Sequence, residues 1–464
     1  TLSFWFKRSA LGSVQWLIDA GSNNDQIQFA AADDLEVSLN ATTDAYLNTT
    51  AVYRDPTAWM HIVVSFDTGA GVSSVRMRLW INGEEVTAFD TSNYPSASYA
   101  LDFMADTVQQ NIGRRGNNSQ FYNGYISEFI GLDGYAGLAS DFAQYDSNGL
   151  WVPKDPTDIV TANKGTNGFW LDFADSSDLG KDVSSGGNDN SFTSVNMGTA
   201  NSTLDRPADE AEDTGNYCTL SSVYKVGTGQ YLPVSNGNLT FTNVSFGRGT
   251  QAMGTIGMSS GKFYWEVSWS AIPNELASRV GIAQIDDVVG SGSLDGAGTQ
   301  YLAGTAGSWA FLAWESGANA GKKETNGTKS SYYDSTTDIS DTIGVAFDAD
   351  NGAIWISKNG SWIDGSVTGQ SSATVLASIE TYANTYVMFD GLTDGPYIPG
   401  VSFDGSPGTG EINFGQTAFT YTPPSGFKKL NTSNMSEPTV KNGEDNFSPI
   451  LFEGNGKGQR VGNF

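Results

Sequence analysis

Cysteine is almost absent from this chain: Cys218 stands alone, so no disulfide can form within it. Histidine is equally scarce, and the single His61 argues against a His-built metal site. No apolar run approaches the roughly 20 residues that span a bilayer, so no membrane insertion is expected. Basic residues are few, with 24 Lys and Arg against 51 Asp and Glu, for a formal charge of −27. A surface of that sign repels nucleic-acid phosphates and anionic membranes alike. Long helical periodicity is missing, and no heptad run supports a coiled coil.

What remains is the material of turns and strands. The chain has 464 residues, which at roughly 100–200 residues per domain predicts two to four domains. Apolar residues make up 39% and aromatics 12%, enough for large cores. The 55 glycines occur among many Ser, Thr, Asn and Asp residues, and short alternating runs lie between them. That pattern reads as all-β. The acidity has two readings, solubility in a salty medium or calcium sites. Asp348, Asp350 and Asn351 before Gly352 fall one residue short of a calcium-loop spacing. No cofactor is therefore expected, with calcium left as the open alternative.

Along the chain, residues 1–150 form a string of strands and 151–220 an acidic Gly/Ser/Asn-rich connector. Residues 221–430 are β again, and 431–464 form a tail leading to a further, missing segment. Both ends read as cut from something longer. In the connector, Phe169, Trp170, Leu171 and Phe173 predict one short strand packed on a neighbouring domain. Two hairpins match each other across the chain: VRMRLWINGEEV (75–86) and DNGAIWISKNGSW (350–362). Each sets a Trp shortly before an Asn-Gly, the pair that best tolerates the positive φ of a two-residue turn. The strand at 75–83 is expected to alternate Val75, Met77, Leu79 and Ile81 against Arg76, Arg78, Trp80 and Asn82, its apolar face packing the core.

Family resemblances follow from these pieces. SSGKFYWEV (259–267), RVGIA (279–283), the double hairpin at 343–360, EINFGQ (411–416) and PPSGF (423–427) resemble a SPRY domain. TLSFWFKRS (1–9), WMHIVVSFD (59–67), RLWINGEEV (78–86), NIGRRG (111–116) and FYNGYISEFIGLDG (121–134) resemble a laminin-G-like, concanavalin A-type domain. Both resemblances imply two packed antiparallel sheets, so the fold class is all-β, two tandem antiparallel β-sandwiches. In a SPRY domain Asp348, Asp350 and Asn351 make a hairpin turn. The whole order of pieces resembles large virion proteins of tailed bacteriophages, marine ones especially. That resemblance implies a tail fibre or other virion-surface protein. The implied partners are other virion proteins, a host-surface glycan or protein, and further copies of the chain in a homo-oligomer. The rivals are a structural decoration protein and a bacterial surface adhesin.

Candidate sites are weighed against this frame. β-Glucanases of this fold carry Glu-x-Asp-x-x-Glu on one strand; that spacing is missing, so no enzyme is expected. Glu128 stands alone and reads as exposed. His61, between Met60 and Ile62, reads as structural, as does Cys218 between Tyr217 and Thr219. Arg114 and Arg115, beside Tyr122, could clamp an acidic sugar or a phosphate. The polar loop 314–334, with Trp314, Lys322, Lys323, Tyr332 and Tyr333, carries aromatic rings beside polar groups, as a sugar site requires.

Overall fold

The structure is a computed structural model. It describes residues 1–21, 24–184, 189–208, 212–223, 232–243, 250–271, 278–286, 301–314, 321–333, 341–365, 369–383, 385–403 and 407–437. The first sandwich is built from β1 (Leu2–Arg8), β2 (Gln15–Ala20), β3 (Asp25–Phe29), β4 (Asp34–Leu39), β5 (Ala45–Val52), β6 (Met60–Phe66), β7 (Met77–Ile81), β8 (Glu84–Glu85), β9 (Phe89–Asn93), β10 (Gln110–Ile112) and β11 (Gly124–Gly131). β12 (Ala143–Tyr145), β13 (Trp151–Pro153), helix α1 (Thr157–Asn163) and β14 (Phe169–Leu171) follow. One sheet runs β14-β11-β1-β6-β7-β8 and the other β10-β2-β3-β4-β5-β9. All their pairings are antiparallel.

The alternation of apolar and polar residues decides which face each strand buries. In β4, Leu35, Val37 and Leu39 enter the core between the sheets, and in β3 Ile27 and Phe29 do. From the opposite sheet Phe4, Phe6, Ile62, Val64 and Phe129 meet them. β14 extends the first sheet, pairing Phe129 with Leu171 and Gly131 with Phe169. The strand expected within the connector is thus an edge strand of the first sandwich, with Phe169 and Leu171 in its core.

The second sandwich comprises β15 (Val234–Ser235), β16 (Thr240–Asn243), β17 (Thr250–Met253), β18 (Lys262–Ala271), β19 (Ser278–Gln284), β20 (Ser308–Trp314), β21 (Lys323–Thr325), β22 (Thr328–Ser330), β23 (Thr342–Asp348), β24 (Ala353–Lys358), β25 (Ser361–Trp362), helix α2 (Ser372–Glu380), β26 (Tyr397–Phe403) and β27 (Gly408–Asn413). Its sheets run β15-β16-β27-β18-β23-β24-β25 and β17-β26-β19-β20-β21-β22. Trp265, Val280, Phe311, Val345, Ile356 and Phe403 fill the space between them.

The twin hairpins form as expected at their turns: φ is 48° and 87° at Asn82 and Gly83, and 50° and 74° at Asn359 and Gly360. A Cβ on Gly83 would lie 2.9 Å from the Trp151 ring, and one on Gly360 2.5 Å from the Tyr421 ring. Trp80 lies on the face where the alternation puts it, opposite the core-facing set. Met77 and Leu79 face the core, but Trp80 points the other way, into a second cluster with Val63, Phe142 and Val160 of α1. Trp355 does the same beneath Val375 and Ile379 of α2. Period-two geometry puts Trp80 opposite Leu79, and a helix then covers it. The first hairpin starts later than expected, at Met77, since Val75 is 40% exposed in a 3₁₀ turn. The acidic turn is a hairpin turn: the buried Asp348 carboxylate accepts from the backbone N–H groups of Asp350 and Asn351 at 3.0 and 3.1 Å.

One buried ion pair ties the first sandwich to the stretch entering the second. Lys7 Nζ, on β1, donates to Asp205 Oδ2 at 2.9 Å, Asn216 Oδ1 at 2.6 Å and the Tyr217 carbonyl at 3.0 Å. The two charged side chains are 1% and 0% exposed. Asp205 Oδ1 accepts from Trp59 Nε1 at 2.8 Å. Removing one member of a buried pair strands the other charge, which costs about 3–5 kcal/mol. We therefore expect Lys7→Met to lower unfolding stability in urea by that order. The double variant Lys7→Met/Asp205→Asn should recover part of the loss. A shift under about 1 kcal/mol for the single variant would show that the pair does not hold the two parts together.

Candidate functional site

The face of the β10-β2-β3-β4-β5-β9 sheet turned away from the core is polar across its whole width. Residues paired across an antiparallel sheet share a face. One row therefore runs Asn111, Asp19, Gln26, Ser38, Tyr46, Asn93. A second runs Trp16, Gln28, Glu36, Asn48, Thr91. Gln28, Glu36, Tyr46 and Asn48 are half-buried, and Thr91 and Asn93 are exposed. Glu36 accepts from both Gln28 Nε2 and the Tyr46 hydroxyl. Burial first, then the Glu36 carboxylate, pushes the Tyr46 phenol well above its ordinary range. Asp34, two residues before Glu36, lies on the same side of β4 by alternation.

Among the described residues, seven buried polar atoms on this face have no protein partner: Trp16 Nε1, Gln26 Oε1, Gln28 Oε1, Asp34 Oδ1, Ser38 Oγ, Asn48 Oδ1 and Asn111 Nδ2. A buried polar atom without a hydrogen bond costs about 1–3 kcal/mol. Their gathering on one sheet face makes that face the candidate binding surface of the first sandwich. Amides, hydroxyls, an indole N–H and carboxylates in rows suit a polyhydroxylated ligand.

Of the residues singled out from sequence, Arg114 and Arg115 lie at the β10 rim of this face, and Tyr122 packs against the core instead. Arg114 donates to Asn111 Oδ1 at 3.1 Å and to Asn118 Oδ1. Arg115 lies 5.0 Å from the Trp16 ring centre and donates to Gln120 Oε1 at 3.2 Å. Tyr122 turns its hydroxyl inward to the Lys7 carbonyl at 2.9 Å. Arg114 and Tyr122 also line an open cleft of about 2060 Å³ between this sandwich, the connector and residues 416–418. Phe121, Val195 and Met197 line it too and are 56%, 50% and 53% exposed.

The second candidate group does not assemble there. Tyr332 is 1% exposed and packs edge-on to Phe311, so its ring is a core element and offers no open stacking face. Tyr333 is half-buried against the same core. Trp314 closes β20, paired with Ser278, while its side chain and residues 315–320 and 334 lie outside the described residues. Glu128 is also corrected: it is half-buried, with φ 50° at a bulge in β11, and accepts from Trp170 Nε1 at 2.7 Å. The polar rows themselves escaped sequence reading. Their signal was the amide and carboxylate content of DQIQF (25–29) and DLEVSL (34–39).

Donor direction argues against His61 as a general base. Trp151 Nε1 can only donate, and it reaches His61 Nδ1 at 3.1 Å. The proton of neutral His61 therefore sits on Nε2 and is donated to Ser3 Oγ at 2.8 Å. A general base would have to accept from that serine. His61 is 1% exposed, and burial holds its pKa down to about 3. Cys218 is fully buried, its thiol pushed up to about 11. Among the described residues no group of three or more His, Cys, Asp or Glu side chains could hold a metal ion. A pH prediction follows from His61. Its folded pKa lies below the ordinary 6.5, so the unfolded chain alone takes up this proton between about pH 6.5 and 3. The contribution is intact above pH 6.5 and falls by up to about 1.4 kcal/mol per pH unit below it. We expect His61→Asn to destabilise at pH 7.5 yet flatten the stability slope between pH 6 and 4, read by urea titration at each pH. An unchanged slope would mean that His61 titrates normally.

Comparison with known proteins gives two matched regions. Residues 1–130 match the profile of the concanavalin A-like lectin/glucanases superfamily, in its laminin G form. Residues 262–417 match the SPRY domain. A search of curated proteins finds no match. Among solved structures, the SPRY domain of human HERC1 is similar at 19% identity, covering 40% of this chain and 94% of that one, with a TM-score of 0.29. The chain thus carries a concanavalin A-like domain followed by a SPRY domain, within a nearly all-β fold of tandem sandwiches.

Proposed function

We propose that this chain is a non-enzymatic adhesion protein of a tailed-phage virion, a tail fibre or similar surface component. In this reading it binds a host-surface glycan through the outer face of the β10-β2-β3-β4-β5-β9 sheet. The two domain types support a binding or adhesion role. The single observation that carries the site is the set of unpartnered buried polar atoms gathered on that face. The virion setting rests on the order of domains and connector in the sequence. The implied homo-oligomer would add avidity, since many weak sites on one particle act together.

A second reading, structural decoration of a capsid or tail, is favoured by one feature. The cleft beside Arg114 exposes Phe121, Val195 and Met197, an apolar lining suited to another virion protein.

The test is binding of the purified chain to an array of bacterial surface glycans, with and without EDTA. We expect binding to a defined class, unchanged by chelation. Glu36→Ala combined with Asn48→Ala should weaken it about tenfold or more, a loss of about 1.4 kcal/mol. Lys181→Ala, on the connector, should leave it unchanged. Absence of binding by the folded, assembled protein would move the assignment to the structural reading. Loss on chelation would restore calcium.

A further inference from the structure

We propose that Lys7 and Asn216 are the partners of a self-formed isopeptide bond, with Asp205 carrying the protons. The bond joins the side-chain nitrogen of β1 to the carboxamide carbon of the stretch entering the second sandwich, and it is independent of the glycan reading. Three observations carry it. Lys7 Nζ lies 2.6 Å from Asn216 Oδ1, so the carbon behind that oxygen is within about 3.8 Å of the amine. Reacting atoms need an approach of about 3–3.5 Å, less than an ångström closer. The amide is held in one orientation, because Asn216 Nδ2 donates to the Thr57 carbonyl at 2.7 Å. Its backbone is fixed as well: the Asn216 N–H donates to Thr432 Oγ1 and its carbonyl accepts from the Thr432 N–H, both at 3.0 Å. A carboxylate touches the same amine, with Asp205 Oδ2 at 2.9 Å. Trp59 Nε1 and the Tyr217 N–H hold the other oxygen of Asp205, at 2.8 and 3.3 Å, and so turn Oδ2 to Lys7.

The chemistry balances without an oxidant or a co-reactant. Asp205 takes one proton from the Lys7 ammonium along the bond they share, which removes two buried charges at once. The freed Nζ lone pair turns onto Asn216 Cγ by rotation about Cε–Nζ and forms the new bond, while the carbonyl π pair moves to Oδ1. Asp205 then passes its proton to Nδ2, and Nζ gives up a second proton by the same route. As Oδ1 re-forms its double bond, the Cγ–Nδ2 bond breaks and its electron pair leaves with the nitrogen. Nζ has lost two protons, Nδ2 has gained two and departs as ammonium, and Asp205 ends as the carboxylate it was. The Tyr125 ring centre lies 5.5 Å from Nζ and the Trp59 ring packs on Tyr125, so aromatic walls hold the amine in place. Asn216 and Thr57 are only half-buried, which gives the leaving group a way out. The product closes a loop between residues 209 positions apart and restricts the unfolded chain as a disulfide does, in a protein whose single cysteine excludes one.

The experiment is intact-mass spectrometry of the purified full chain, followed by digestion and peptide mapping. We expect the wild type to fall short of its sequence mass by one ammonia, with a branched peptide joining Lys7 to Asn216. A limited tryptic cut at the exposed Lys181 should leave the two pieces in one band on a denaturing gel. Lys7→Arg, which keeps the positive charge, should give the full mass and two bands, and so should Asn216→Ala. Asp205→Asn, with its folding checked by urea titration, should also remain unlinked. A wild type at its full sequence mass would overturn the proposal, and that outcome needs no variant to fold. So would an ammonia loss that maps to an Asn-Gly turn such as Asn82-Gly83, where a backbone nitrogen is the nucleophile. A linked Asp205→Asn protein would overturn the role given to the carboxylate.

Discussion

A single ammonium group fixes how the two halves of this chain meet. Lys7 Nζ has three protons to donate, and three oxygens take them, from Asp205, Asn216 and Tyr217. Asp205 is satisfied in turn by Trp59 Nε1 and the Tyr217 N–H. A buried charge tolerates no slack: if any partner moved by an ångström, the desolvation penalty would return without its compensation. The stretch that supplies these partners is itself bound to the second sandwich. Leu204 N–H donates to the Gln416 carbonyl, and Cys218 N–H to that of Leu430. Tyr125 adds a bond from the first sandwich to Gly237 at 2.7 Å. The acidic connector is therefore more than a solubilising spacer. At least one of its carboxylates is structural.

The same node explains why the candidate site lies where it does. Each sandwich buries a core between its sheets and then covers the outer face of one sheet with other chain. In the first sandwich the covered face carries Trp80, Val63 and Ile130 beneath α1, and Trp5 beside Trp59 and Ala143. Lys7 belongs to that face too, pinned by the connector. In the second, Trp355 and Trp362 are covered by α2. The outer face of the β10-β2-β3-β4-β5-β9 sheet presents polar rows in place of such an apolar second cluster. Apolar outer faces drew helices onto themselves; the polar one stayed accessible along its middle and its β9 edge.

Legibility in the sequence followed the range of the interaction. Asn82-Gly83 and Asn359-Gly360 could be read directly, because turn chemistry is decided within four residues. The all-β character was legible from alternation and turn spacing, the two sandwiches from the family resemblances, and the edge strand at Phe169 from its apolar cluster. The outward side of Trp80 was legible too, but the helix over it was not, because alternation tells which residues share a face and not which face will be covered. The site was harder still. Its rows join positions from 16 to 111, and only the sheet order places Asn111 beside Asp19. Within any one strand Gln26 or Ser38 is an ordinary polar residue. Tyr332 misled for the opposite reason: a polar neighbourhood in sequence surrounds a ring that folds inward onto Phe311.

The dimensions of the polar face suit weak, extended contact rather than a pocket. Neighbouring strands lie about 4.8 Å apart, so a row across six strands spans about 24 Å. That is room for a chain of sugars lying across the sheet, touched by many side chains of modest worth. Each hydrogen bond gained there would contribute about 0.5–1.5 kcal/mol against water, so no single contact can dominate. On the proposed reading, affinity on one copy is limited and strength comes from many copies acting at once. Such multiplication works best when each copy holds its face in a fixed direction. On the proposed glycan reading, the Lys7–Asp205 tie supplies that rigidity and links the buried ion pair to the polar rows.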